Sequence, residues 1–218
     1  LFFSLIILNK TFGLDSKYNL IFLLYVTFIF QQHLSEYSYS IFETFFFSLA
    51  LYASKNKKHL TFFAACLLAI FNRESGFVII FSWLLFNNDE FKKLILFFIF
   101  SALVFISINF DILKCLFEPK FFVPLENQEG QVNLSELLDN NLISTAKLIF
   151  INFILPFGLG IFYLAQTIKK NKILIILFSI YLLMFIFATP AHHISVRLII
   201  LPLIFTSIYF YSKEKKSS

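Results

Sequence analysis

The chain alternates long apolar runs with short polar interruptions. The apolar stretches fall at about 1–8, 18–30, 40–54, 60–71, 76–86, 94–110, 143–165, 173–189 and 194–211. A full membrane span needs roughly 20 residues, so 143–165 is comfortable and 94–110 and 173–189 sit near the lower limit. The stretches 18–30, 60–71 and 76–86 are shorter; either they are short spans lining a cavity or one of them does not cross. The pattern predicts an all-α fold: a polytopic transmembrane helical bundle of about eight spans plus the tail of another. It forms one integral membrane domain over 1–218, with a long loop at 111–142. The opening LFFSLIILNK has no initiator Met, no basic start and no small-residue cleavage site, so it reads as the tail of a helix rather than a signal peptide. The expectation is a fragment whose preceding span and first outer loop lie upstream.

Composition agrees with the pattern. Only 14% of residues are charged and 59% are hydrophobic, against roughly 25% charged in a soluble domain. The two cysteines, Cys66 in an apolar stretch and Cys115 in a loop, provide neither a disulfide framework nor metal-ligand spacing. The lysine runs are topology signals and not nucleic-acid patches, so no nucleic-acid partner is expected.

The distribution of charge decides how residues 60–86 are organised. They are either one helix with Asn72, Arg73 and Glu74 at mid-membrane, or two short helices with that tripeptide at a turn. Lys and Arg accumulate in short cytoplasmic loops. With two helices, thirteen lysines from Lys10 to Lys216 fall on one side, facing Arg73, Lys114, Lys120 and Arg197 on the other. With one helix the split is eight to eight. The two-helix arrangement is therefore expected, with the C-terminus cytoplasmic. The outer side then holds the loop 31–39, the turn 72–75, the loop 111–142 and the turn 190–193 (PAHH), with acidic residues such as Glu36, Glu74, Glu126 and Asp139.

Ionisable residues at the ends of apolar segments gather on that outer side. Charge in hydrocarbon costs roughly 2.5–3.5 kcal/mol per residue at mid-helix even on lenient scales, so several on one face point to a polar site. Glu43, one turn into 40–54, is a candidate general base or an acid that orients a hydroxyl or a metal; the alternative is a helix-end acid reaching the headgroups. Arg73 offers a planar donor fork suited to phosphate or carboxylate, with Glu74 beside it; the two could equally neutralise one another at an interface. His193 and Arg197, four apart on a helix expected to begin near Ile194, share a face suited to an anionic lipid head or to plain headgroup contact. Lys147, one turn inside 143–165, snorkels outward or joins the same anion pocket. Adjacent His192 and His193 do not make a metal site without further ligands.

Three stretches resemble the GT-C superfamily of polytopic membrane glycosyltransferases, of the mannosyltransferase-like kind that depend on polyprenyl-phosphate sugars. YSIFETFFFSLALYASKNKKHL is similar to that family's acid, span and basic-loop pattern. LTFFAACLLAIFNRESGFVIIF resembles its span ending in Arg-Glu before a short span. HHISVRLIILPLIF is similar to its late Arg before an apolar segment with a Pro, although His192 and His193 stand in place of an acid and Leu198 in place of a Tyr.

The resemblance implies transfer of a sugar from a polyprenyl-phosphate-linked donor to a glycan, lipid or protein acceptor on the non-cytoplasmic face. It also implies Glu43 as a secondary acidic position, with the main catalytic Asp expected upstream of Leu1. Arg73 and Arg197 match positions near the lipid phosphate, and Glu74, His193 and Lys147 are the further candidates around it. A divalent metal ion is an optional cofactor, and no other is implied. The competing readings are a transporter or flippase of a lipid-linked or anionic substrate, and a surface-polysaccharide polymerase or ligase. A transporter would carry midplane polar residues and internal repeats, and no repeat is visible.

Overall fold

A computed structural model describes residues 2–13, 19, 20, 23, 38–72, 76–108, 155–167, 171–187 and 190–217. Among them the structure is all-α. Its helices are α1 (Phe2–Phe12), α2 (Ser38–Lys55), α3 (His59–Asn72), α4 (Gly76–Ile80), α5 (Phe91–Ile108), α6 (Leu155–Thr167), α7 (Lys172–Phe187) and α8 (Pro190–Ser217). Two 3-10 turns, Phe81–Leu85 and Asn88–Glu90, connect α4 to α5. Among the described residues no helix is long and apolar enough to cross a membrane.

Helix α2 is the hub. It packs against α1, α3, α8 and the first 3-10 turn. Its buried residues Glu43, Phe47, Ala50, Leu51 and Ser54 recur at the three- and four-residue spacing of one helix face. That face also carries Thr44 and Ser48, and the Ser48 hydroxyl donates to the Thr44 carbonyl at 2.8 Å. Thr206 and Ser207 on α8 do the same to Pro202 and Leu203, at 2.7 and 2.9 Å. Such bonds to the preceding turn let hydroxyls sit in an apolar interior without orphaned donors.

The chain reverses between α2 and α3 through a Schellman cap. Lys58 N–H donates to Ala53 C=O at 2.8 Å and Lys57 N–H to Ser54 C=O at 3.2 Å, with Lys57 left-handed at φ 54°. Small residues line the α2–α3 contact, with Ala50, Ala53, Ala65, Cys66 and Ala69 all fully buried. Cys66 is a free thiol within that contact.

Helices α3 and α4 are separate. Seven residues along a continuous helix are about 10 Å apart. A Cβ built on Gly76, however, would lie 2.4 Å from the Ala69 carbonyl carbon and 2.5 Å from the Ile70 nitrogen. The chain has therefore folded back on itself, and only a residue without a side chain fits at that contact.

Two expectations need correction. The segment 76–86 is not one helix but a short α-helix followed by 3-10 geometry. The PAHH sequence is not a turn before a helix starting near Ile194, because α8 begins at Pro190. Proline fits the first helical position, where its missing N–H is not needed and its φ is already helical.

Helix α5 lies at the periphery and is joined to its neighbours by phenylalanine rings. Phe98 meets Phe77 and Phe81 at 5.8 Å each, Phe105 meets Phe77 at 5.3 Å, and Phe100 meets Phe63 at 5.5 Å. Its outer face is apolar: Leu96 is 69% and Leu103 60% exposed, while Ser101 is fully buried.

Candidate functional site

Lysine-bearing helix ends converge at one end of the bundle. Lys55 donates to the Thr11 carbonyl and stands 4.3 Å from the Tyr209 ring centre, which is itself 5.0 Å from the Phe12 ring. Lys10 and Lys58 flank the Tyr52 ring at 5.7 and 5.1 Å. His59 Nδ1 lies 3.9 Å from Glu90, which also pairs with Lys93 at 3.2 Å. The ends of α1, α2 and α8 and the starts of α3 and α5 thus share one level.

Behind that surface lies a buried polar knot. Ser54 Oγ donates to the Ser82 and Trp83 carbonyls at 3.4 and 3.2 Å. The Asn87 amide donates to Ser54 O at 2.9 Å and to Trp83 O at 3.3 Å. These bonds tie the end of α2 to the irregular 81–87 stretch, and the Trp83 carbonyl also accepts from the Phe86 and Asn87 backbone N–H groups at 3.3 and 3.1 Å.

Glu43 is 0% exposed, on the α2 face that turns inward. One turn below it, Phe47 stacks on Tyr181 of α7 with ring centres 6.0 Å apart. Glu43 of α2, Cys66 of α3 and Tyr181 of α7 are all fully buried. The Tyr181 hydroxyl has no hydrogen-bond partner among the described residues. A buried phenol without a partner carries an unmet hydrogen-bonding need, so the Tyr181 hydroxyl can donate to or accept from a polar ligand that reaches it.

Helical register relates Glu43 to the other candidates. Glu43 lies twelve residues before Lys55 on α2, and Arg197 twelve before Tyr209 on α8, and the two helices meet at Lys55 and Tyr209. At 1.5 Å per residue each is roughly 18 Å along its own helix from that contact. Asn72, at the far end of α3, lies about as far from His59 at its start. His193 lies one turn further along α8. The side chains of His193 and Arg197 are outside the described set, as are residues Arg73, Glu74, Lys147 and the whole loop 111–142. Among the described residues no group of three His, Cys, Asp or Glu could hold a metal ion.

Tyr181 was not marked by the sequence, since a tyrosine in KILIILFSIYLLMFIF carries no sign of which face it occupies. No family model, curated protein or solved structure matches the chain.

Proposed function

We infer that the protein is an integral membrane glycosyltransferase of the cell's inner or plasma membrane. It would move a sugar from a polyprenyl-phosphate-linked donor to an acceptor on the non-cytoplasmic face. The observation that carries this reading is the full burial of Glu43 on the inward face of α2, about three turns from the lysine-bearing end at Lys55.

Membrane residence is supported by hydroxyls buried in the bundle and large apolar side chains on its outside. Thr44, Ser48, Ser101, Thr206 and Ser207 are buried while Leu96, Ile99, Phe100 and Leu103 of α5 face outward. Small residues and hydroxyls at helix contacts are what hold helices together where lipid removes the hydrophobic drive between them. The eighteen residues of α5 rise about 27 Å, a few Å short of a bilayer's apolar thickness. Local thinning and snorkelling of Lys92 and Lys93 accommodate that mismatch.

In the reaction an acceptor O–H attacks the anomeric carbon as the bond to the lipid phosphate breaks, and the phosphate leaves with the electron pair. Glu43 holds or deprotonates the acceptor hydroxyl. Arg73 and Arg197 stabilise charge growing on the phosphate. Glu74, His193 and Lys147 extend the same anion site. A divalent metal, if used, would neutralise the same phosphate.

The test is a transfer assay on membranes containing the full-length protein, given a labelled polyprenyl-phosphate hexose. Wild type should release polyprenyl phosphate and label an acceptor, and Glu43→Gln should lose at least about a hundredfold of that rate. Equal rates in wild type and Glu43→Gln would overturn the role of Glu43. No transfer, with a labelled lipid-linked substrate crossing the bilayer instead, would favour a transporter.

A further inference from the structure

Far from Glu43, at the lysine-bearing end, α3, the first 3-10 turn and α5 enclose a cleft of about 430 Å³. Its wall is aromatic. Phe62 and Trp83 have ring centres 4.8 Å apart, and Phe97 meets Phe63 at 4.6 Å and Phe62 at 5.9 Å. Its rim is polar: the His59 ring lies against Trp83 with ring centres 4.8 Å apart, and Lys93 also lines the cleft. Glu90 bridges these two at 3.9 and 3.2 Å and fixes them at the mouth. Lys57, Lys58 and Lys92 are exposed around it, against Asp89 and Glu90, so the mouth keeps a positive excess.

We propose that this cleft binds an anionic phospholipid of the lysine-side leaflet, with the phosphate at His59 and Lys93 and an acyl chain against Phe62, Phe63 and Phe97. Apolar depth and a cationic mouth match an amphiphile whose charge is at one end. A soluble anion would leave the aromatic wall wet, and a zwitterionic lipid would leave the excess of Lys57, Lys58, Lys92 and Lys93 over Asp89 and Glu90 uncompensated. Basic pockets between helices at the cytoplasmic interface recognise anionic headgroups on these grounds. The size falls within the range of sites for small ligands. The assignment is independent of the transfer chemistry and rests only on residence in a membrane.

Trp83 is the one tryptophan of this sequence and lines the cleft, so its fluorescence reports occupancy directly. The full-length protein, with any tryptophan outside this sequence replaced by phenylalanine, would be reconstituted in phosphatidylcholine vesicles and titrated with phosphatidylglycerol or phosphatidylcholine brominated on the acyl chains. Brominated phosphatidylglycerol should reach half-maximal quenching at a roughly fivefold lower mole fraction than brominated phosphatidylcholine. The double variant His59→Gln, Lys93→Gln should remove that preference while keeping the maximal quenching. Both side chains are more than half exposed, so the variant tests binding and not folding. Equal quenching by the two lipids in wild type would overturn the site. Failure of the protein to float with vesicles would overturn membrane residence as well, which separates the two claims.

Discussion

The Lys55 ammonium lies 4.3 Å from the centre of the Tyr209 ring and also donates to the Thr11 carbonyl, so one side chain ties the ends of α1, α2 and α8 together. A cation over an aromatic face adds about 0.5–2 kcal/mol, depending on desolvation. Lys55→Met keeps the stem and removes the charge. It should lower stability in detergent by about 1–2 kcal/mol, measured by chemical unfolding. Tyr209→Leu should lose part of the same energy, and the two losses should not add.

Lys57 occupies a left-handed position, φ 54°, that suits glycine. The strain for an L-residue there is roughly 1 kcal/mol. Lys57→Gly should therefore raise the unfolding midpoint, whereas Gly13→Ala, at φ 62°, should lower it by about the same amount. Thermal unfolding of both variants in one detergent gives the two signs.

Gly76 is held where a Cβ would meet the α3 backbone at 2.4–2.6 Å. Backbone atoms cannot turn aside as a flexible side chain would. Gly76→Ala should cost about 1–3 kcal/mol and Gly76→Val more, read as loss of folded protein by size-exclusion chromatography.

Asn87 is 1% exposed and its amide N–H groups hold the Ser54 and Trp83 carbonyls. Asn87→Ala should lower stability by about 1–3 kcal/mol. Asn87→Asp should do worse than alanine, because it replaces the donor with an acceptor facing two carbonyl oxygens. Unfolding midpoints of the two variants give the order.

The helices were legible because apolar runs are bounded by charge: α2 matches 40–54, α3 matches 60–71 and α5 overlaps 94–110. The break before Gly76 was legible from the lysine distribution alone. The helical start at Pro190 was not, since Pro-Ala-His-His reads as a turn until the N–H count at a helix start is considered. The inward face of Glu43 was not legible, because phenylalanines at 42, 45, 46 and 47 surround it on α2 and leave no single apolar stripe. Tyr181 and the cleft beside Trp83 were illegible, since both arise where helices distant in sequence meet. Cleft residues such as His59 and Glu90 look like ordinary loop polarity until α3 and α5 are brought together.

The common level of the lysine-bearing ends is the claim on which membrane orientation and the outward site of Glu43 both depend. Single cysteines at Lys57→Cys and Lys93→Cys, in a background with Cys66→Ser and Cys115→Ser, test it with an impermeant maleimide on sealed right-side-out vesicles. The account predicts that both stay unlabelled until the membrane is permeabilised, and then label together. Labelling of one from outside while the other stays protected would put α3 and α5 on opposite faces and contradict it.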